Sequence, residues 1–152
     1  MAVVLTPRAK IAKLLQQHKL RRTKIREDVL ELFMEKQYAL AHSEIEDSIS
    51  KDFDRVTIYR TLKSFEEQGL IHRVLDESGA AKYALCHHHH DVPHHHADQH
   101  IHFNCTACGR TYCLDHVPIP KVQLPADYQL QKMEFLAQGI CKSCTQQDES
   151  VK

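Results

Sequence analysis

A chain of 152 residues has room for one ordinary domain or two small ones, and two small domains with modest cores usually need a staple. No run approaches the roughly eighteen uncharged apolar residues of a membrane span, and the N-terminus lacks a secretory pattern, so a cytoplasmic protein with no membrane partner is expected. The net charge of zero hides an uneven distribution: Arg8, Lys10, Lys13, Lys19, Arg21, Arg22, Lys24 and Arg26 fall within the first 26 residues, where there is no acidic residue.

Such a basic segment is either the phosphate-attracting arm of a nucleic-acid binder or a solvated helix face. From there the first half reads as helices. Ile25, Val29, Leu32 and Phe33 recur at the spacing of one buried helical face, with Thr23 placed to cap it. A second helix is predicted from about Ser43, where Ser43 and Glu46 have capping-box spacing and Ile45 and Ile49 lie one turn apart. Asp54 then caps a third helix with Ile58, Leu62 and Phe65 inward and Gly69 just past its end. The opposite face presents Val56, Thr57, Arg60, Lys63 and Ser64, with Tyr59 on its flank. Arg suits guanine edges, Thr and Val a thymine methyl, and Tyr and Lys phosphate or base. An ordinary amphipathic surface helix would show the same periodicity.

Leu70 to Leu75 and Ala81 to Leu85 are β-compatible and separated by the turn-like Asp76-Glu77-Ser78-Gly79, which fits a two-stranded wing. Composition changes abruptly at Cys86 into a stretch to His102 that holds nine of the thirteen histidines, and the domain boundary is placed there. Further on, residues 128–136 alternate with a two-residue period and read as a strand, while Pro118, Pro120 and Pro125 discourage a long helix before them.

Six cysteines in a reducing compartment point to metal or redox chemistry rather than to disulfides. Cys105-x-x-Cys108 followed by Cys141-x-x-Cys144 supplies four soft thiolates for one tetrahedral structural zinc, which would help hold a small domain folded. Cys86, His100, His102 and, from the first domain, His72 remain as a second set. Imidazoles with one thiolate suit zinc, and His100 and His102 point to the same side of a strand. Cys113 is either a further ligand or a small buried side chain, the second being preferred. His87–His90 and His94–His96 are either accessory ligands or a low-complexity insertion. An enzyme is not expected: no HExxH, nor H-x-E with PCxxC, is present. A zinc storage or chaperone protein built on the histidine run is the rival of another class.

Arg55-Val-Thr-Ile-Tyr-Arg-Thr-Leu62, Gln68-Gly-Leu-Ile71 and His100-x-His102-x-x-Cys105-x-x-Cys108-Gly109 together resemble the ferric uptake regulators, and the likeness spans most of the chain. The resemblance implies an α+β protein with an N-terminal winged helix-turn-helix DNA-binding domain, residues 1–85. A small C-terminal α/β dimerisation domain with structural zinc follows, residues 86–152. It also implies a homodimer that binds a palindromic double-stranded operator when metal is bound. By this likeness Tyr59 and Arg60 would contact DNA, with Arg21 and Arg22 near an adjoining minor groove; Thr57 and Lys63 are added as candidates from the exposed face of the same helix.

Within that family, iron sensors carry a Glu where this chain has Ala84, whereas Tyr83-x-x-Cys86 resembles the zinc uptake regulators. The expectation is therefore two zinc ions per chain, one structural and one regulatory. The regulatory ion would be held by His72, Cys86, His100 and His102 across the hinge, where it sets the angle between the DNA-binding domains. An iron(II)- or peroxide-responsive regulator is the alternative within the family. The histidine insertion and the proline-broken segment before Tyr128 depart from the family pattern.

Overall fold

In the computed structural model, residues 6–49, 51–85 and 100–149 are described. The chain divides into two compact units, Met1–Cys86 and His87–Lys152.

The first unit opens with α1 (Pro7–Gln17), so part of the basic segment is a helix, as one of its two readings had it. Its start was legible in Thr6-Pro7: the threonine hydroxyl accepts the Ala9 N–H at 3.3 Å, and proline occupies the first turn, where its missing N–H costs nothing. Ile11 and Leu15 face inward. α2 (Lys24–Lys36) buries Ile25, Val29, Leu32 and Phe33 as expected, together with Leu30. Thr23 stands at its N-cap, but its side chain makes no capping hydrogen bond there.

The expected Ser43/Glu46 capping box is displaced. α3 (His42–Ser48) is preceded by the short β1 (Leu40–Ala41), and the Glu44 carboxylate accepts the Ala41 N–H at 2.7 Å. Pairing of β1 with a neighbouring strand fixes the entry to α3, so the helix begins before Ser43 and the reach-back falls to Glu44. α4 (Arg55–Glu67) begins where predicted: the Asp54 carboxylate accepts the Thr57 N–H at 2.7 Å and is held below the usual carboxylate range by its hydrogen bonds to Thr57. It ends before Gly69, whose φ of 69° is the left-handed conformation glycine adopts without strain.

β2 (Ile71–Leu75) and β3 (Ala81–Leu85) form the antiparallel wing, and β1 adds to its far side in the order β1-β3-β2. The core joins the inner faces of all four helices to this sheet, with Leu15, Leu30, Ile45, Ile58, Leu62, Phe65 and Leu70 fully buried. His18 closes the unit from the side: its Nδ1 lies 2.8 Å from the Gln68 carbonyl oxygen and so ties the end of α1 to the end of α4.

The second unit is a three-stranded sheet in the order β5-β4-β6, built from β4 (Ile101–Cys105), β5 (Thr111–Leu114) and β6 (Phe135–Gly139), followed by α5 (Lys142–Glu149). β5 runs antiparallel to β4, and β6 runs parallel to it. The strand expected over 128–136 is displaced, since only its last two residues belong to β6. The reason is register: Ile101 to Cys105 pair one for one with Phe135 to Gly139, so all of β4 is already matched. Alternation makes a strand only where a neighbour offers a ladder. Among the described residues, no helix is long and apolar enough to cross a membrane.

Candidate functional site

The parallel β4–β6 pairing aligns Cys105 with Gly139, so both CxxC segments leave the sheet at the same end. After Cys105 the chain turns tightly. Gly109 adopts φ 72°, and its N–H donates to the Cys105 carbonyl at 2.8 Å, which swings Cys108 back beside Cys105. On the other side the Thr106 N–H donates to the Gly139 carbonyl at 2.8 Å and pins the two turns together. Cys144 arrives from the first turn of α5.

The sulfur atoms of Cys105, Cys108, Cys141 and Cys144 all lie within 4.8 Å of one another. A zinc tetrahedron with bonds of about 2.3 Å has edges of about 3.8 Å. The Cys108–Cys141 Sγ separation of 3.9 Å matches that edge, and the cysteines are free rather than disulfide-bonded. The surroundings favour thiolate: N–H groups of Cys108 and then Cys141 pull the Cys105 thiol down to about 6, and the Cys144 N–H lowers Cys141. Cys144 is pushed up to about 12, first by its hydrogen bond with Cys141. Four thiolates cannot share this volume unless a cation offsets their charge, and this donor set fits zinc. Tyr112, which the sequence did not single out, reaches the same cluster, with its hydroxyl donating to Cys141 Sγ at 3.8 Å.

A second donor set lies along one face of the β4–β5 pair. His102 is directly opposite Cys113, and His100 is two residues before His102, so the pleat turns all three side chains the same way. Their ligand atoms come within 4.8 Å of one another, and the two imidazoles meet edge to face with centroids 4.5 Å apart. Asp115, two residues beyond Cys113, brings a carboxylate oxygen within 3.9 Å of His100 Nδ1.

Of the two readings of Cys113, the geometry favours the ligand: it is half-buried, and its sulfur comes within reach of the two imidazoles. The signal was the distance along the chain from His102 through the CxxCG turn, which makes His102 and Cys113 cross-strand partners once the two flanking segments are read as a hairpin. His72 is buried on β2, opposite Ala84, in the first unit. Cys86 and the histidines at 87–90 and 94–96 lie outside the described residues.

α4 presents the third candidate surface. Ile58, Leu62 and Phe65 are buried, whereas Val56 is 54% and Tyr59 52% exposed, large side chains that the fold leaves in solvent beside Arg60 and Lys63. Thr57 is half-buried on the same helix, and Arg21 and Arg22 are exposed in the turn before α2. Several cations here carry acidic partners: Arg22 with Glu27 at 2.6 Å, Lys63 with Glu67 at 4.0 Å and Arg55 with Glu46 at 3.9 Å.

Residues 17–131 match the ferric uptake regulator family. The chain belongs to this family. As a ferric uptake regulator family member it is a metal-responsive transcription regulator and not an enzyme. Among curated relatives, the ferric uptake regulation protein of Staphylococcus epidermidis is 31% identical over 139 residues, 87% of this chain and 91% of the relative. Its counterpart in Staphylococcus aureus is 29% identical over 137 residues, 87% and 93% of the two chains. Among solved structures, a zinc uptake regulator complexed with zinc and DNA aligns with TM-score 0.64 at 22% identity, covering 95% of this chain and 99% of that one. The Helicobacter pylori ferric uptake regulator aligns with TM-score 0.56 at 20% identity, covering 95% and 97%. At these identities the structural likeness establishes the fold of the family.

Proposed function

We propose that this family member is a zinc-responsive repressor of metal-uptake genes that acts as a homodimer on a palindromic operator. The observation that carries the zinc reading is the donor set itself: two imidazoles and a thiolate on one sheet face form a soft, nitrogen-and-sulfur site of the kind zinc takes and harder ions avoid. His72 and Cys86 of the first unit are the further donors proposed to complete it. Bound zinc would supply a dipositive charge and directional bonds joining donors from both units.

The protein residues do the rest. His100 and His102 offer a preset pair of nitrogens, Asp115 places a carboxylate within electrostatic reach of His100, and Cys113 contributes a sulfur. Cys105, Cys108, Cys141 and Cys144 hold the structural zinc and keep the sheet end and α5 together. On DNA, Thr57, Tyr59, Arg60 and Lys63 of α4 read the major groove, while Arg21 and Arg22 address the neighbouring backbone or minor groove. Without sensing metal the two recognition helices of a dimer would sample separations that do not match half-sites one helical turn apart. A coupling of about 1–3 kcal/mol, typical of allosteric linkage, would change operator affinity about 5- to 150-fold.

The test is operator binding by protein that retains structural zinc but lacks sensing metal, titrated with buffered zinc(II) and separately with iron(II) under anaerobic conditions. Binding switched on by zinc alone supports the reading, and a response to iron(II) alone overturns it. The second reading, an iron(II)-responsive regulator, is favoured by the Asp115 carboxylate beside His100, an oxygen donor that iron accepts more readily than a pure nitrogen-and-sulfur site would suggest.

A further inference from the structure

Arg26 lies on the first turn of α2, half-buried, between the basic turn that precedes this helix and the recognition helix. Its guanidinium is used on both sides: one terminal nitrogen donates to the Arg21 carbonyl at 2.7 Å, the other to Ser64 Oγ at 3.4 Å. Ser64 is 38 residues away in sequence and one helical turn beyond Arg60 on α4. A planar, rigid fork therefore joins the backbone that carries Arg21 and Arg22 to the helix that carries Arg60. The His18 contact with the Gln68 carbonyl braces the same end of α4. Arg26 gives these donors to acceptors of the protein itself, whereas Arg21 and Arg60 are exposed.

We infer that Arg26 is a positioning residue for operator recognition. It holds the Arg21–Arg22 turn at a fixed offset from the Arg60 face of α4, so that one domain presents both basic elements to DNA in a single register. The inference rests on the DNA-binding reading above. Its physical basis is preorganisation: a turn left unfixed would have to be ordered when DNA binds, and that cost falls on the sequence that requires both elements at once. Non-specific duplex, which needs only positive charge, is indifferent to the offset. Lysine keeps the charge but cannot span two acceptors with a planar fork, so it does not substitute.

The experiment measures binding of the zinc-loaded full chain to a family-type palindrome and to a scrambled duplex of equal length over a range of salt. It compares wild type with Arg26→Ala, Arg26→Lys, Ser64→Ala and the Arg26→Lys/Ser64→Ala double variant, each also followed by thermal unfolding. Arg26→Lys is expected to lose about tenfold on the palindrome, the scale of one charge-assisted hydrogen bond, while its scrambled-duplex affinity, salt slope and melting temperature stay near wild type. Ser64→Ala is expected to lose less, and its loss should not add to that of Arg26→Lys, because both remove the same link. Arg26→Lys equal to wild type on both duplexes would overturn the inference in favour of charge alone. A drop of about one in salt slope per protomer for Arg26→Ala would instead make Arg26 a phosphate contact. Equal losses on both duplexes with a matching fall in melting temperature would reduce it to a stability residue. Wild-type protein that fails to prefer the palindrome overturns the DNA-binding reading itself, and this inference with it.

Discussion

His102 and Cys113 face each other across the β4–β5 ladder, eleven positions apart in sequence and directly paired in register. Their side chains therefore share one face of the sheet, and His100 joins them from two residues upstream. The hairpin that carries the first CxxC knuckle at its turn thus carries the second donor set along its stem, so the two proposed sites share one structural element.

Replacing Cys113 by Ser should weaken sensing-site zinc by more than the roughly 10- to 100-fold cost of losing a supporting residue around a metal, while the structural zinc stays in place. Chelator competition measures the first, and zinc stoichiometry the second. Cobalt(II) substitution adds a direct readout: sulfur-to-metal absorption from the sensing site should weaken in Cys113→Ser to the share that Cys86 supplies. If that band is undiminished and disappears instead in Cys86→Ser, Cys86 supplies the thiolate and Cys113 does not.

Removing the structural zinc, by a strong chelator or by Cys141→Ser, should cost the second unit much of its stability, because among the described residues its small sheet buries few side chains beyond Cys105, Thr111 and Cys141. Far-ultraviolet circular dichroism and sedimentation would report this as lost strand signal and lost assembly. A soluble Cys141→Ser protein with unchanged spectrum and size would remove the cluster's structural role.

The metal-free chain should respond to pH in a defined direction. Cys105 is lowered from an ordinary value of 9.0 to about 6, so in that window the folded form binds fewer protons than the unfolded one. Its contribution is complete above about 9 and is lost as pH falls through 6. Cys144, raised from 9.0 to about 12, acts oppositely: its contribution is complete below 9 and is lost as pH rises towards 12. Stability of the zinc-free second unit should therefore peak near pH 9, as hydrogen exchange across a pH series can show after correction for intrinsic rates. A monotonic fall from pH 6 to 9 would contradict the thiolate-stabilising N–H geometry around Cys105.

On α4, Arg60→Ala should cost about 1–3 kcal/mol on the operator and relax preference at one base pair of each half-site, the signature of base contact. Lys63→Ala should weaken all duplexes alike and lower the salt slope by about one per protomer. Since Glu67 lies 4.0 Å from Lys63, Glu67→Gln should raise non-specific affinity modestly. Anisotropy titrations on the palindrome, single-base variants and scrambled duplex separate these outcomes.

Much of this molecule was written locally. The inward stripes Ile25-Val29-Leu32-Phe33 and Ile58-Leu62-Phe65, the Asp54 cap, the left-handed Gly69 and the wing turn all depend on residues within a few positions of one another, so sequence periodicity and capping chemistry suffice to place them. The same holds for each CxxC knuckle, whose geometry is set by a four-residue turn. Non-local pairing decided the rest. The strand expected over 128–136 moved because β4 had only five residues to offer, and the α3 cap moved because β1 pairs with β3 ahead of it. The two knuckles meet because β6 runs parallel to β4 in a register that aligns Cys105 with Gly139, which no spacing along the chain could reveal. Cys113 joins the candidate donors for the same reason: the sequence by itself determined which thiols and imidazoles were available, but only strand register, a matter of hydrogen bonds between distant segments, decided which of them share a face.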